Sequence, residues 1–151
     1  MNYSIQGKAV EGPAYSIWGT SPIMGENGKV HLFVARWPCE LKVGPGWRTH
    51  SEIAHYVGDS PEGSFVFSIV AMKGNIDGKA PCNPAIYKVY ASHNPAIRLY
   101  ALFYIVNDGI EKHLSNQYIC LATSESLFGP WKKADDDRVV FKPSETSLLY
   151  N

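Results

Sequence analysis

The sequence predicts an all-β chain of the β-propeller type, with about two four-stranded antiparallel blades and the start of a third. Three observations carry this. "IAHYVGDSPEGSF" from Ile53 lies over "ICLATSESLFGPW" from Ile119 at a spacing of 66 without a gap; Ile53/Ile119, Ser60/Ser126 and Gly63/Gly129 are identical, and Asp59/Glu125 and Phe65/Trp131 keep their character. An apolar, aromatic-rich run of strand length precedes each copy, "KVHLFVARW" (Lys29 to Trp37) and "LYALFYIVN" (Leu99 to Asn107). Finally, a long amphipathic helix is hard to place anywhere; the best candidate, Ser124 to Phe128, amounts to one turn. A repeat with several strands per unit suits propeller blades of roughly four strands each.

Taken in order, "IWGTSPI" from Ile17 supplies a first inner strand, "KVHLFVARW" the next, and "IAHYV" a third behind the polar loop "VGPGWRTH". The turn "DSPEG" and the run opened by Phe65 complete the unit. The second unit repeats the plan with "NPAIYKV", "LYALFYIVN", "ICLATS" and a run opened by Trp131. The units span about 15–72 and 77–137, and a third is expected to start at about 138–151 with "RVVFKPSETSLLYN".

Composition bounds the function. With 45% apolar and 13% aromatic residues among 151, the chain can bury a real core. Lys plus Arg equals Asp plus Glu at 14 each, which gives no electrostatic footprint for nucleic acid or an anionic membrane. No run approaches the roughly 20 apolar residues of a membrane span. The start "MNYSIQGKAVEGP" lacks the basic-then-apolar pattern of a secretion signal, so the chain is expected to stay where it is made. Cys39, Cys82 and Cys120 show no metal-ligand spacing and read as reduced, packed thiols. The five histidines are scattered; His31 and His55 alternate within strand-like runs and read as half-buried sheet residues. No phosphate loop and no G-x-S-x-G elbow is present, and no metal or cofactor is expected.

Four segments together, "IWGTSPIMGENGKVHLFVARWP", "PGWRTHSEIAHYVGDSPEGSFVF", "DGKAPCNPAIYKV" and "NQYICLATSESLFGPWK", resemble glycoside hydrolases of the family 43-like group, from about Ile17 to Pro143. The resemblance implies a five-bladed propeller that cleaves glycosidic bonds in poly- or oligosaccharides. Five blades need roughly 330 residues at this repeat length, so the chain reads as the first two blades of a ring. Open edges and an open apolar face are then expected, with Leu102, Tyr104 and Leu121 or their neighbours on the other pleat exposed, and self-association through them.

Glycoside hydrolysis uses two carboxyl groups facing the scissile bond. The resemblance implies an Asp before a Pro in the first inner strand, yet this chain has Ser21-Pro22 there. The remaining acids sort by context. Glu26, Asp59 and Glu62 stand in turn sequences. Glu52 lies inside an apolar strand-like run, where a buried carboxylate is either functional or bonded, for instance to Arg36. Asp77 precedes the second inner strand, near the expected funnel mouth. Glu52 and Asp77 are therefore the catalytic candidates.

For substrate binding the candidates are Trp18, Trp37 and Trp47, whose flat faces suit the C–H faces of sugars, with Ser21, Arg36 and His50 beside them. Asn-Pro-Ala-Ile occurs twice, at Asn83 and Asn94, with Cys82 before the first copy and His93 before the second. Either the inner strand slips to the second copy or a small duplication lengthens the loop; both leave an amide able to grip a hydroxyl. Three functions follow: glycosidic hydrolysis, carbohydrate binding without catalysis, and glycoside phosphorolysis drawing on Arg36, Arg48 and His50.

Overall fold

A computed structural model describes residues 10, 12–74, 79–91, 94–107, 117–134 and 139–141. Strands β1 (Tyr15–Met24), β2 (Val30–Pro38), β3 (Glu52–Gly58) and β4 (Val66–Met72) form an antiparallel meander in chain order, with helix α1 (Val43–Thr49) between β2 and β3. The second sheet repeats the plan with β5 (Ala80–Ala91), β6 (Asn94–Asn107), β7 (Gln117–Ser124) and the short β8 (Lys132–Lys133). A further strand, β9 (Val139–Phe141), also pairs with β7.

The repeat holds in detail. Ile53 faces Ala35 across β2–β3, and Ile119 faces Ile105 across β6–β7; Ala35 and Ile105 are themselves partners when Lys29 is laid over Leu99. The glycine turns close with the same bond in both units, Gly63 N to Ser60 O at 3.2 Å and Gly129 N to Ser126 O at 3.0 Å. Val139 stands opposite Cys120 and Phe141 opposite Ile119, so these residues pair along the outer edge of the second sheet; the rest of the 138–151 segment, where a third unit is expected to start, lies outside the described residues.

Alternation along each strand assigns the faces. Phe33, Ile53 and Met72 of the first sheet meet Ile86, Tyr100, Leu102, Tyr104, Cys120 and Ala122 of the second in one core, with Trp131 packed at its margin. The other face of the first sheet buries Leu32, Val34, Ala54 and Tyr56 under Val10, Ile17 and Phe65. The sequence leaves open which pleat of the second sheet is exposed, that of Leu102 and Tyr104 or its neighbour; Leu102 and Tyr104 point at the first sheet and are 0% and 3% exposed. Exposure falls instead on the opposite pleat, at Tyr87, Val89, Ile119 and Phe141.

Polar links tie the sheets together. Glu26, in the β1–β2 turn, accepts bonds from Lys88 Nζ at 2.7 Å and Arg98 Nη1 at 2.9 Å. These two cations, Lys88 first, hold its carboxyl below the usual range. His31 and His55 are buried outright rather than half-buried. Their rings share one bond, Nδ1 to Nε2 at 2.8 Å, with Phe33 stacked on His55 at 4.7 Å and Phe128 edge-on to both at 5.3 Å.

The helix is the element that sequence reasoning missed. "VGPGWRT" carries two glycines and a proline, which read as a loop. Pro45 falls in the first turn, where its missing N–H costs no helical bond. Gly46 lies directly on the Trp37 ring, which a Cβ would overlap. The glycine therefore serves packing, at the expense of helix propensity.

Candidate functional site

The two inner strands, β1 and β5, lie side by side, and each is broken by a bulge. In β1 the register shifts between Trp18 and Thr20, with Gly19 at φ +53°. In β5 it shifts between Cys82 and Ala85, with Asn83 at φ +46°. Both residues occupy the left-handed region, which suits glycine and tolerates asparagine. The two bulges touch: a Cβ built on Gly19 would lie 3.0 Å from Asn83 Oδ1. Bulges re-aim side chains and recur beside functional sites, and a left-handed non-glycine residue is a known mark of such sites.

Against these bulges lies a cavity of about 330 Å³, lined by Trp18, Trp37, Val43, Trp47, Cys82 and Asn83. β1 and β2 supply the first two tryptophans, α1 supplies Val43 and Trp47, and β5 supplies Cys82 and Asn83. Trp18 is 62% exposed and Asn83 is exposed, so both stand at the rim; Trp37 and Cys82 are buried. Burial pushes the Cys82 thiol up to about 12, which removes it as a nucleophile at neutral pH. None of the six lining side chains carries a charge.

The structure thus brings together four of the proposed binding residues, Trp18, Trp37, Trp47 and Asn83. Among the described residues, Ser21, Arg36 and His50 do not line the same wall. Arg36 follows the strand alternation away from its neighbour Trp37 and stands on the opposite face of the first sheet. There its Nε donates to Glu52 at 2.8 Å and its Nη1 to Tyr56 Oη at 3.0 Å, with the guanidinium over the rings of Tyr15 and Phe67 at 4.1 and 4.4 Å. Burial alone would lower the pKa of Arg36, but the bonds it donates to Tyr56 and Glu52 outweigh it, and the net shift is upward. Glu52, the first catalytic candidate, is therefore half of an ion pair remote from the tryptophans.

Ser21 accepts a bond from Ile86 N at 3.1 Å, so its hydroxyl links the two inner strands. His50 is exposed at the end of α1. Thr49 Oγ1 donates to Pro45 O at 2.7 Å and lies 2.6 Å from His50 Nδ1. Asp77 and His93 lie outside the described residues. Asn94 opens β6 while Asn83 belongs to β5, so the inner strand keeps the first Asn-Pro copy and has not slipped to the second.

Val43 and Cys82 are cavity residues that sequence reasoning passed over. Cys82 had a signal: it precedes its bulge as Trp18 precedes the other, facing Ile105 as Trp18 faces Ala35. Among the described residues no cluster of three or more His, Cys, Asp or Glu is placed to hold a metal ion, and no helix is long and apolar enough to cross a membrane.

No family model matches the sequence, and no curated protein matches it. Among solved structures the chain is similar to a family 117 glycoside hydrolase produced by the marine bacterium Zobellia galactanivorans, with a TM-score of 0.58 and 17% identity. The match covers 80% of this chain and 38% of that one, so the chain spans well under half of its neighbour's length. At this identity the likeness concerns architecture. The chain has a glycoside hydrolase-like, all-β fold of two propeller-like antiparallel sheets, and nothing in the match singles out family 43.

Proposed function

We propose that this chain is the glycan-binding part of a glycoside hydrolase-like propeller, and that it holds its ligand at the cavity where the two inner-strand bulges meet. The observation that carries the reading is the convergence of Trp18, Trp37, Trp47 and Asn83 on one wall. An indole face on an outer rim and an amide with both donor and acceptor are what a sugar ring needs, an apolar platform and a two-way hydrogen-bond partner. Trp18 supports this further. It is 62% exposed at the rim of the cavity, which leaves it accessible to a ligand.

Binding is favoured over turnover by the fate of the carboxylates. Hydrolysis needs two carboxyl groups about 5 to 5.5 Å apart for retention or about 6.5 to 9.5 Å for inversion. Glu52 is engaged by Arg36 on the far face, and Ser21 holds Ile86 where the family 43 resemblance implies an acid. Phosphorolysis finds less support, since Arg36 is sandwiched between rings and is not free to meet phosphate.

The test is a binding assay of the purified chain on aryl- and alkyl-glycosides and on arabinan, xylan and agar oligosaccharides, with turnover followed in parallel. Weak binding without turnover is expected, weakened at least tenfold by Trp18→Ala and by Asn83→Ala and unaltered by Glu52→Gln. Binding indifferent to both rim substitutions, or turnover abolished by Glu52→Gln, would overturn the reading.

A further inference from the structure

The cavity is uneven in what it offers. Its rim holds Trp18 and Asn83, and its deeper wall holds Trp37, Trp47 and Cys82, with Val43 at the edge of α1. Indole N–H groups donate only, and the Cys82 thiol is a weak partner. Among the described lining side chains the Asn83 amide is thus the one strong acceptor, and it stands at the mouth. A sugar ring pushed into the deeper wall would bury several hydroxyls with nothing to receive their protons, which is the arrangement that specificity pockets for hydroxyls avoid. A charged sugar fares worse, because no lining residue carries a compensating charge.

A flat apolar group suits the same wall. Helix α1 sets Trp47 and Val43 beside Trp37, and Gly46 lets the helix settle onto the Trp37 ring. Aromatic groups prefer offset or edge-on contact with such rings and need no hydrogen-bond partner.

We propose that the deep part of the cavity is an aglycone subsite: it takes a flat aromatic group carried by a glycoside, while the sugar stays at the rim on Trp18 and Asn83. This rests on the glycan reading above. The cavity then selects aryl glycosides over alkyl glycosides of the same sugar, and α1, through Trp47 and Val43, is the element that sets this preference.

The experiment uses tryptophan fluorescence and calorimetry on the purified chain with matched phenyl and methyl galactosides, xylosides and arabinofuranosides, and with phenol alone. At least one phenyl glycoside should bind ten times or more tighter than its methyl partner, and phenol should compete with it. Trp47→Ala should remove that tenfold preference by weakening the phenyl glycoside far more than its methyl partner. Val43→Gln, at a position 61% exposed and so safe for folding, should reduce the preference at least threefold. Equal affinity for phenyl and methyl glycosides would overturn the aglycone subsite and leave the glycan reading standing. Phenol binding as tightly as every phenyl glycoside, with no methyl glycoside bound, would overturn the glycan reading and with it the assignment of the aryl group to a glycoside.

Discussion

Ile53 and Ile119 hold the same place in two copies of one repeat, yet Ile53 is 0% exposed and Ile119 is 38% exposed. The strands around them are built alike, down to the partner across the ladder and the glycine turn that follows. What differs is the neighbour. The second sheet lies on the face of the first that carries Ile53, and nothing among the described residues lies on the matching face of the second sheet. A repeat therefore specifies which face of each sheet is apolar, while burial is conferred by whatever packs on that face.

The largest expected effect separates the two sheets by this rule. Ile53→Ala should cost about 2–5 kcal/mol, since it leaves a cavity in the shared core between Phe33 and Leu102. The identical change Ile119→Ala should cost about 1 kcal/mol or less, because water already reaches the side chain. Urea midpoints at constant m-value measure both. Equal losses at the two positions would show that the second sheet's outer face is covered as fully as the first's.

How much of this was legible follows the same line. Strand identity and register could be read because both are local: alternation, turn glycines and aligned apolar runs carry them. The pleat on which Leu102 and Tyr104 lie could not, since both faces of β6 are apolar and only the position of the first sheet decides between them. Of the site, the three tryptophans and Asn83 were legible as residue types suited to sugars. Their meeting depends on two bulges and a helix hidden behind Gly44, Pro45 and Gly46, and no periodicity announces any of them. Glu52 stood between two readings in the sequence, and its geometry favours the structural one through Arg36.

A second contrast concerns what lines the face shared by the sheets. The first sheet contributes His31 and His55 to it, whereas the matching face of the second is apolar, so acid should act on one unit before the other. Burial, and then the proximity of His31, lowers His55 from its ordinary 6.5 to about 4. Burial also lowers His31. In the folded chain His55 thus stays neutral at a pH where the unfolded chain binds a proton. Stability is then complete above about pH 6.5 and declines as pH falls toward about 4, by on the order of 3 kcal/mol at most. Melting temperature followed from pH 7 to pH 4.5 should fall, and His55→Gln, which can still bond His31, should remove the larger share of the slope. An unchanged slope in that variant would assign the acid sensitivity elsewhere.

The smallest expected effect compares the bulges themselves, Gly19 in the first inner strand and Asn83 in the second. Both are left-handed, but the reasons for their residue types differ. Gly19 faces Asn83 at close range, and an alanine there meets both an unfavourable φ and an oxygen 3.0 Å away. Gly19→Ala should therefore cost about 1–2 kcal/mol. Asn83 lines the cavity at a φ that glycine adopts more easily, so Asn83→Gly should change stability by only about 0.5 kcal/mol in either direction. Its loss should appear in binding, at least tenfold on the glycoside that the chain holds best. If stability were what kept asparagine there, Asn83→Gly would destabilise the fold and leave affinity intact, and the bulge of the second strand would be a structural device like that of the first. The opposite result, an intact fold with lost affinity, assigns the two equivalent bulges separate tasks: one lets the inner strands approach, and the other uses that approach to present an amide.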